Sequence, residues 1–322
     1  MTSITDNGKK AEEVASGIPP WHAQLFIGSL LAISVQNLPS RASLDQVATI
    51  EALTAPVLPN VFSLKSLGIV RLSIAASIWI VMFFIAVISD GWKIHTVYKP
   101  QTKLKKSVIH MKGIRTFFPF TSWSWILLGL YFSINGYIAL TVEAGAPEKI
   151  QPWMLRAASI LFEISAPFAL LVSAVIRYAI WPAVLKSGKP HALDSFRNQM
   201  MHNMNAVYAL SEMALLGGPA MNFSHISLPC FVGCCYILFA WSAAHFLGKA
   251  GTTPGPQYQY FFLDTTLGKA TTISLAVLLV VLMTFFAFFV GISALVNLSG
   301  GNLILNSLAV ILVSSLVCKV KA

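Results

Sequence analysis

Asn198-Gln199-Met200-Met201-His202-Asn203-Met204-Asn205, running on through Tyr208 to Glu212, is the stretch on which the reading of this chain turns. It lies between two long apolar segments and reads as a membrane helix, yet it carries an imidazole, several amides and a carboxylate. At about 100° per residue, Asn198, His202, Asn205 and Glu212 fall within roughly 80° of one another, forming one polar stripe. Ionisable groups at membrane depth are costly and usually face a bundle interior or a site. The plainer reading is a helix that uses its amides and carboxylate to hold its neighbours.

The rest of the chain supplies the apolar context. Of its 322 residues, 56% are hydrophobic and 11% charged, and apolar runs near twenty residues recur. A helix needs ~20 such residues to cross the hydrocarbon core, so the composition predicts an all-α polytopic membrane protein and excludes a soluble globular one. The spacing predicts spans at about 67–89, 117–140, 153–182, 198–217, 226–247, 270–296 and, as a seventh, 302–318. Residues 1–66 form an N-terminal extension with a disordered start, residues 67–296 the helical bundle, and residues 297–322 an extra span with a basic tail. The segment Trp21–Gln36 reads as an interfacial helix, a re-entrant piece or a thin span, with the interfacial reading preferred.

The net charge of +10 comes from basic residues gathered in loops. Loops 90–116, 183–197 and 248–269 and the tail hold seven, three, two and two Lys or Arg; the alternate loops hold one in all. That asymmetry predicts the basic loops and the C-terminus on the cytosolic side, with no nucleic-acid partner implied. The address expected is an endomembrane such as the endoplasmic reticulum, or the plasma membrane. Cys230, Cys234, Cys235 and Cys318 all sit in apolar runs and read as packing residues, without a disulfide, metal or cofactor.

This topology sets polar groups from four spans at one depth on the cytosolic side. Thr121 and His202 each lie about one turn inside their spans, His245 about one turn before the end of the fifth, and Arg177 near the cytosolic end of the third. A hydroxyl and an imidazole at one level make the minimal pair for nucleophilic acyl transfer. Glu212 lies ~15 Å from His202 along a helix, too far to orient the imidazole. Its expected role is structural, with Glu163, Arg177 or Asn135 as partner.

Several of these segments look familiar. Asn198-x-x-x-His202 followed by Glu212-Met213, then Tyr236-Ile237-Leu238 with His245 and Gly248, Tyr260-x-Phe262-Leu263-Asp264, and Phe120-Thr121 ending in Tyr131-Phe132 together resemble the androgen-induced membrane protein family. The resemblance covers roughly 68–296 and departs from the family pattern at Gln199, Phe261 and Arg177. It implies a threonine-type hydrolase of fatty acid esters of hydroxy fatty acids, with Thr121 as nucleophile and His202 as base. Membrane lipids and the lipid ester are then the partners. Arg177 or the 90–116 lysines would hold the substrate carboxylate, and Asn198, Asn205 or a backbone amide would supply the oxyanion donor. Two other classes stand beside this one: a transporter or channel built on Glu163, Arg177 and Glu212, and a lipid-binding regulatory protein without catalysis.

Overall fold

Apolar residues make the long helices and small polar residues start them. Ser63 accepts a hydrogen bond from the backbone N–H of Ser66 and opens α4 (Leu64–Phe83); Pro119 precedes α5 (Phe120–Glu143), and Pro152 opens α6 (Pro152–Val175). Each device satisfies or removes a backbone donor that the first helical turn leaves without a partner. A computed structural model describes residues 17–96, 98–186 and 194–319 of the protein. Residues 1–16, 187–193 and 320–322, with the expected disordered start, part of one basic loop and the tail end, lie outside the described residues.

The architecture is all-α and polytopic in character. Five helical stretches are long and apolar enough to cross a membrane: Leu64–Ile88, Phe120–Glu143, Pro152–Lys186, Phe223–Lys249 and Lys269–Leu298. They match the expected spans one, two, three, five and six. The stretch 196–216 is helical throughout but too polar to meet the same criterion, and α12 (Leu303–Val317) has only 15 residues. At 1.5 Å per residue α12 is ~22 Å long, short of the ~30 Å hydrocarbon core. In the bundle α4 packs on α5, α5 on α6, and the long α11 (Lys269–Leu298) on α6. The main core holds Trp125, Tyr131, Phe132, Phe162, Phe286 and Phe289, all fully buried.

Two regions depart from what the sequence suggests. The helix α1 (Trp21–Gln36) does not lie across one end of the bundle as an interfacial helix would; it packs along α10 (Ser227–Lys249) and α11. His22 bonds Thr272 near the start of α11, and at the other end Ser227, at the start of α10, donates to the Asn37 carbonyl at 2.7 Å. The helix therefore runs antiparallel to α10. Extended chain leads into its start at Pro20, and a turn at Asn37 follows its end.

The basic loop 90–116 is also structured: β1 (Trp92–His95) pairs antiparallel with β2 (Val108–Met111), Trp92 opposite Met111. Beyond it, the Tyr98 hydroxyl donates to Gln257 at 2.8 Å, tying this loop to the 248–269 segment. At the far end, α2 (Arg41–Val47) and α3 (Ile50–Thr54) cap the bundle against α6 and α5.

Candidate functional site

Thr121 is the second residue of α5 and is buried. It lines a cavity of about 100 Å³ whose wall is otherwise aliphatic, aromatic or sulfhydryl apart from Tyr236 and Tyr260. Five helices contribute: Ile27 from α1, Phe120 from α5, Val172 from α6, Cys234 from α10 and Leu278 from α11, with Tyr260 and Phe262 closing it from the 248–269 segment. The aromatic rings interlock, Phe120 lying 4.7 Å from Phe168 and 4.9 Å from Tyr236 between centroids. The Tyr260 phenol sits against the Thr121 hydroxyl and the backbone N–H groups of Phe120 and Thr121. Burial pushes this phenol above its ordinary pKa, and the nearness of those three groups acts in the opposite direction.

His202 belongs to a π-helical turn, Met200–Met204, between α8 (Phe196–Gln199) and α9 (Asn205–Ser211). A second π turn, Glu212–Leu216, follows, and Gly217 ends the helix at φ +91°. A π turn inserts a residue and shifts the phase of everything beyond it. The single stripe expected from a uniform helix is therefore divided into two faces. Asn198 and His202 line a small cavity of about 10 Å³ together with Asn203, Trp181 and Lys319. Asn205 and Glu212 face α5 instead: Asn205 Nδ2 donates to Ser124 Oγ at 2.9 Å, and Tyr131 donates to Glu212 Oε1 at 2.6 Å.

Those two contacts fix a parallel register. Ser124 and Asn205 are 81 residues apart, as are Tyr131 and Glu212. The same offset separates Thr121 from His202 in the sequence, but His202 lies within the π turn Met200–Met204, ahead of Asn205, so the two contacts do not fix the register of that pair. Thr121 and His202 open onto different cavities, with Ile176 contributing to the wall of both. Among the described residues no hydrogen bond joins the Thr121 hydroxyl to the His202 ring.

The supporting residues are distributed as follows. Asn198 is buried; its backbone N–H reaches the Ser195 cap at 3.3 Å and its Oδ1 accepts from Arg197 at 3.1 Å. Arg197 in turn lies 3.9 Å over the Trp92 ring, docking the hairpin on the histidine helix. Arg177, in the π turn Ile176–Ile180 after α6, donates to the carbonyls of Ser315 and Cys318. It thus secures the end of α12 and does not line the Thr121 cavity. His245 is exposed on α10, close to Gly17, and is likewise outside that cavity wall.

Glu212 is fully buried and structural in setting, with Asn135 as one of the partners expected for it. Its cation, however, is Arg71 at 2.6 Å, not Arg177, and Glu163 is engaged elsewhere. Arg71 also donates to the carbonyls of Leu53 at 2.8 Å and Gly217 at 3.1 Å, joining the cap, α4 and the end of the histidine helix.

Sequence reasoning passed over three features. Arg71 stands near the start of an apolar run, where snorkelling to the interface is the ordinary fate. Asn203 sits beside His202 and holds the C-terminal backbone, donating to Lys319 O at 2.7 Å and accepting from Lys319 N–H at 3.0 Å. Glu163 meets His225, 62 residues away, at 2.9 Å. The only sequence signal for that pair is that each is an ionisable residue in or beside an apolar run. No protein-family model, no curated protein and no solved structure matches the chain.

Proposed function

We propose that the protein is a membrane-embedded hydrolase of lipid carboxylic esters, with Thr121 as nucleophile and His202 as general base. The observation that carries this reading is the setting of Thr121, a hydroxyl in the wall of a largely apolar cavity, at the start of a helix. An acyl chain lies among Ile27, Val172 and Leu278 and brings its ester carbonyl to Thr121. The Thr121 oxygen attacks the carbonyl carbon as its proton passes to the base, and the alcohol leaves with that proton. Water then releases the acid from the acyl-threonine.

The oxyanion needs donors fixed in advance. The backbone N–H groups of Phe120 and Thr121, which have no partner within the first turn of α5, suit this, and the positive end of the helix adds to them. Tyr260 touches both groups in the free protein, so the carbonyl oxygen takes the place of the phenol. Asn205, engaged with Ser124, serves less well as a donor. For His202 to reach Thr121, the Ile176 side chain must turn out of the wall common to the two cavities. The resemblance to the androgen-induced family names branched esters of hydroxy fatty acids as substrate.

The test is ester turnover by the detergent-solubilised full chain. Thr121→Ala abolishes turnover, His202→Ala lowers it by about 10²-fold or more, and both variants keep the wild-type melting profile. Turnover surviving in Thr121→Ala removes Thr121 from the role. A second reading, lipid binding without catalysis, draws on the separation of Thr121 and His202 into different cavities. Lipid that co-purifies with the wild type, with no turnover of any long-chain ester, selects it.

A further inference from the structure

At the end of the bundle away from the basic loops, three side chains from three elements form a line. Ser43 Oγ on α2 lies 3.1 Å from His225 Nε2, and His225 Nδ1 lies 2.9 and 3.0 Å from the two oxygens of Glu163 on α6. His225 belongs to the short turn Phe223–His225 that leads into α10, and the turn is capped by Asn222, whose side chain accepts from Ser224 N–H at 3.0 Å. His225 and Glu163 are almost fully buried, 1% and 2% exposed, while Ser43 is half-buried on the outer segment. The Asp45–Arg156 ion pair, at 2.8 Å, ties α2 to α6 and holds Ser43 over the histidine.

We infer that Ser43, His225 and Glu163 form a second nucleophilic site, a serine–histidine–glutamate triad acting on esters presented at this end of the molecule. The hydrogen-bond partners are consistent with these roles. Glu163 receives the Asn222 backbone N–H at 3.3 Å on one oxygen and the imidazole on both, so it is an acceptor throughout. That places the ring proton on Nδ1 and leaves the Nε2 lone pair pointing at the serine hydroxyl. An imidazole whose tautomer is fixed by a buried carboxylate and whose free nitrogen faces a hydroxyl is how a triad is recognised, independent of fold or chain order.

In the reaction the Ser43 oxygen bonds to the acyl carbon as its proton moves to His225 Nε2. The carbon–oxygen bond to the alcohol then breaks, and the alcohol departs with that proton. Water, deprotonated by the same nitrogen, hydrolyses the acyl-serine and restores Ser43. The neighbours of Ser43 are the exposed Ser40, Arg41, Ala42 and Gln46, in place of the long apolar wall around Thr121. The substrate class is accordingly a short acyl ester reaching the site from water or from headgroup level.

The experiment treats the full chain in detergent with a fluorophosphonate and maps the adduct by peptide mass spectrometry. Nucleophilic attack releases fluoride and leaves the phosphonyl group on the reacting oxygen. The inference expects an adduct on Ser43 that is absent in Ser43→Ala and forms about 10²-fold more slowly in His225→Asn. Glu163→Gln, which preserves shape, slows it as well, with the melting profile of each variant as the check on folding. An adduct on Thr121 with Ser43 unmodified overturns the inference and leaves the Thr121 reading standing. A Ser43 adduct that forms as fast in His225→Asn as in the wild type also overturns it, since the serine would then react as any exposed hydroxyl. Turnover of p-nitrophenyl acetate lost in Ser43→Ala but kept in Thr121→Ala separates the two sites.

Discussion

Glu212 and Glu163 are both carboxylates buried within apolar helices, and their partners give them opposite characters. Glu212 is held by Arg71, a cation that cannot lose its proton, and by the Tyr131 hydroxyl, with nothing of the cluster open to solvent. Glu163 is held by His225, whose other ring nitrogen passes the contact on to the half-buried Ser43. The first arrangement joins four segments and is closed off from solvent. The second is a line of hydrogen-bond partners whose outer member is half-buried. Burial of a carboxylate therefore says little about its use until the partner is known.

The largest way to break this contrast is to remove the fixed charge. Glu212→Ala strands Arg71 in the core and is expected to cost about 3–5 kcal/mol, read as a lowered denaturation midpoint. Replacing Arg71 and Glu212 together by methionine should recover most of that loss, because no charge is then left unpaired. A double variant as weak as the single one would mean that the pair does more than neutralise itself. Next in size is Gly217→Ala, expected to cost about 1–3 kcal/mol. Gly217 has φ +91°, and a Cβ there would lie 2.2 Å from the Ala55 carbonyl oxygen, so the cap and the histidine helix loosen together.

Asn205→Ala removes the bond to Ser124 alone and is expected to lower stability by about 1 kcal/mol. The smallest effect belongs to the other side of the contrast: Ser43→Ala, on the outer segment, should shift stability by no more than about 0.5 kcal/mol. A much larger loss would move the Ser43–His225–Glu163 line toward the structural character of Glu212.

Much of the bundle was legible because hydrophobic length is a local property. The helices around Ala75, Leu128, Leu170, Tyr236 and Leu282 each announce themselves by a stretch of about twenty mostly apolar residues. The expectation that Thr121 and His202 share one level rests on alternating orientation and counted turns. What stayed hidden depends on phase or on distant contacts. The π turn at Met200–Met204 carries no residue signature, and it rotates Asn205 and Glu212 away from Asn198 and His202. Ser43 and His225 stand 182 residues apart, Arg71 and Gly217 146, and no spacing rule links them. The 16 residues of α1 are too few for length alone to decide its placement, and its packing along α10 and α11 is again a distant contact.

The matched offset between α5 and the histidine helix has a mechanical consequence. Two rods pinned to each other at Ser124–Asn205 and again at Tyr131–Glu212, two turns further on, are not free to slide or to pivot about a single point. A slip of one turn would shear both pins at once. On the side of Asn205 nearer the helix start the histidine helix has further partners, Ser173 donating to the His202 carbonyl and Asn203 bonded to Lys319, so it is held along most of its length.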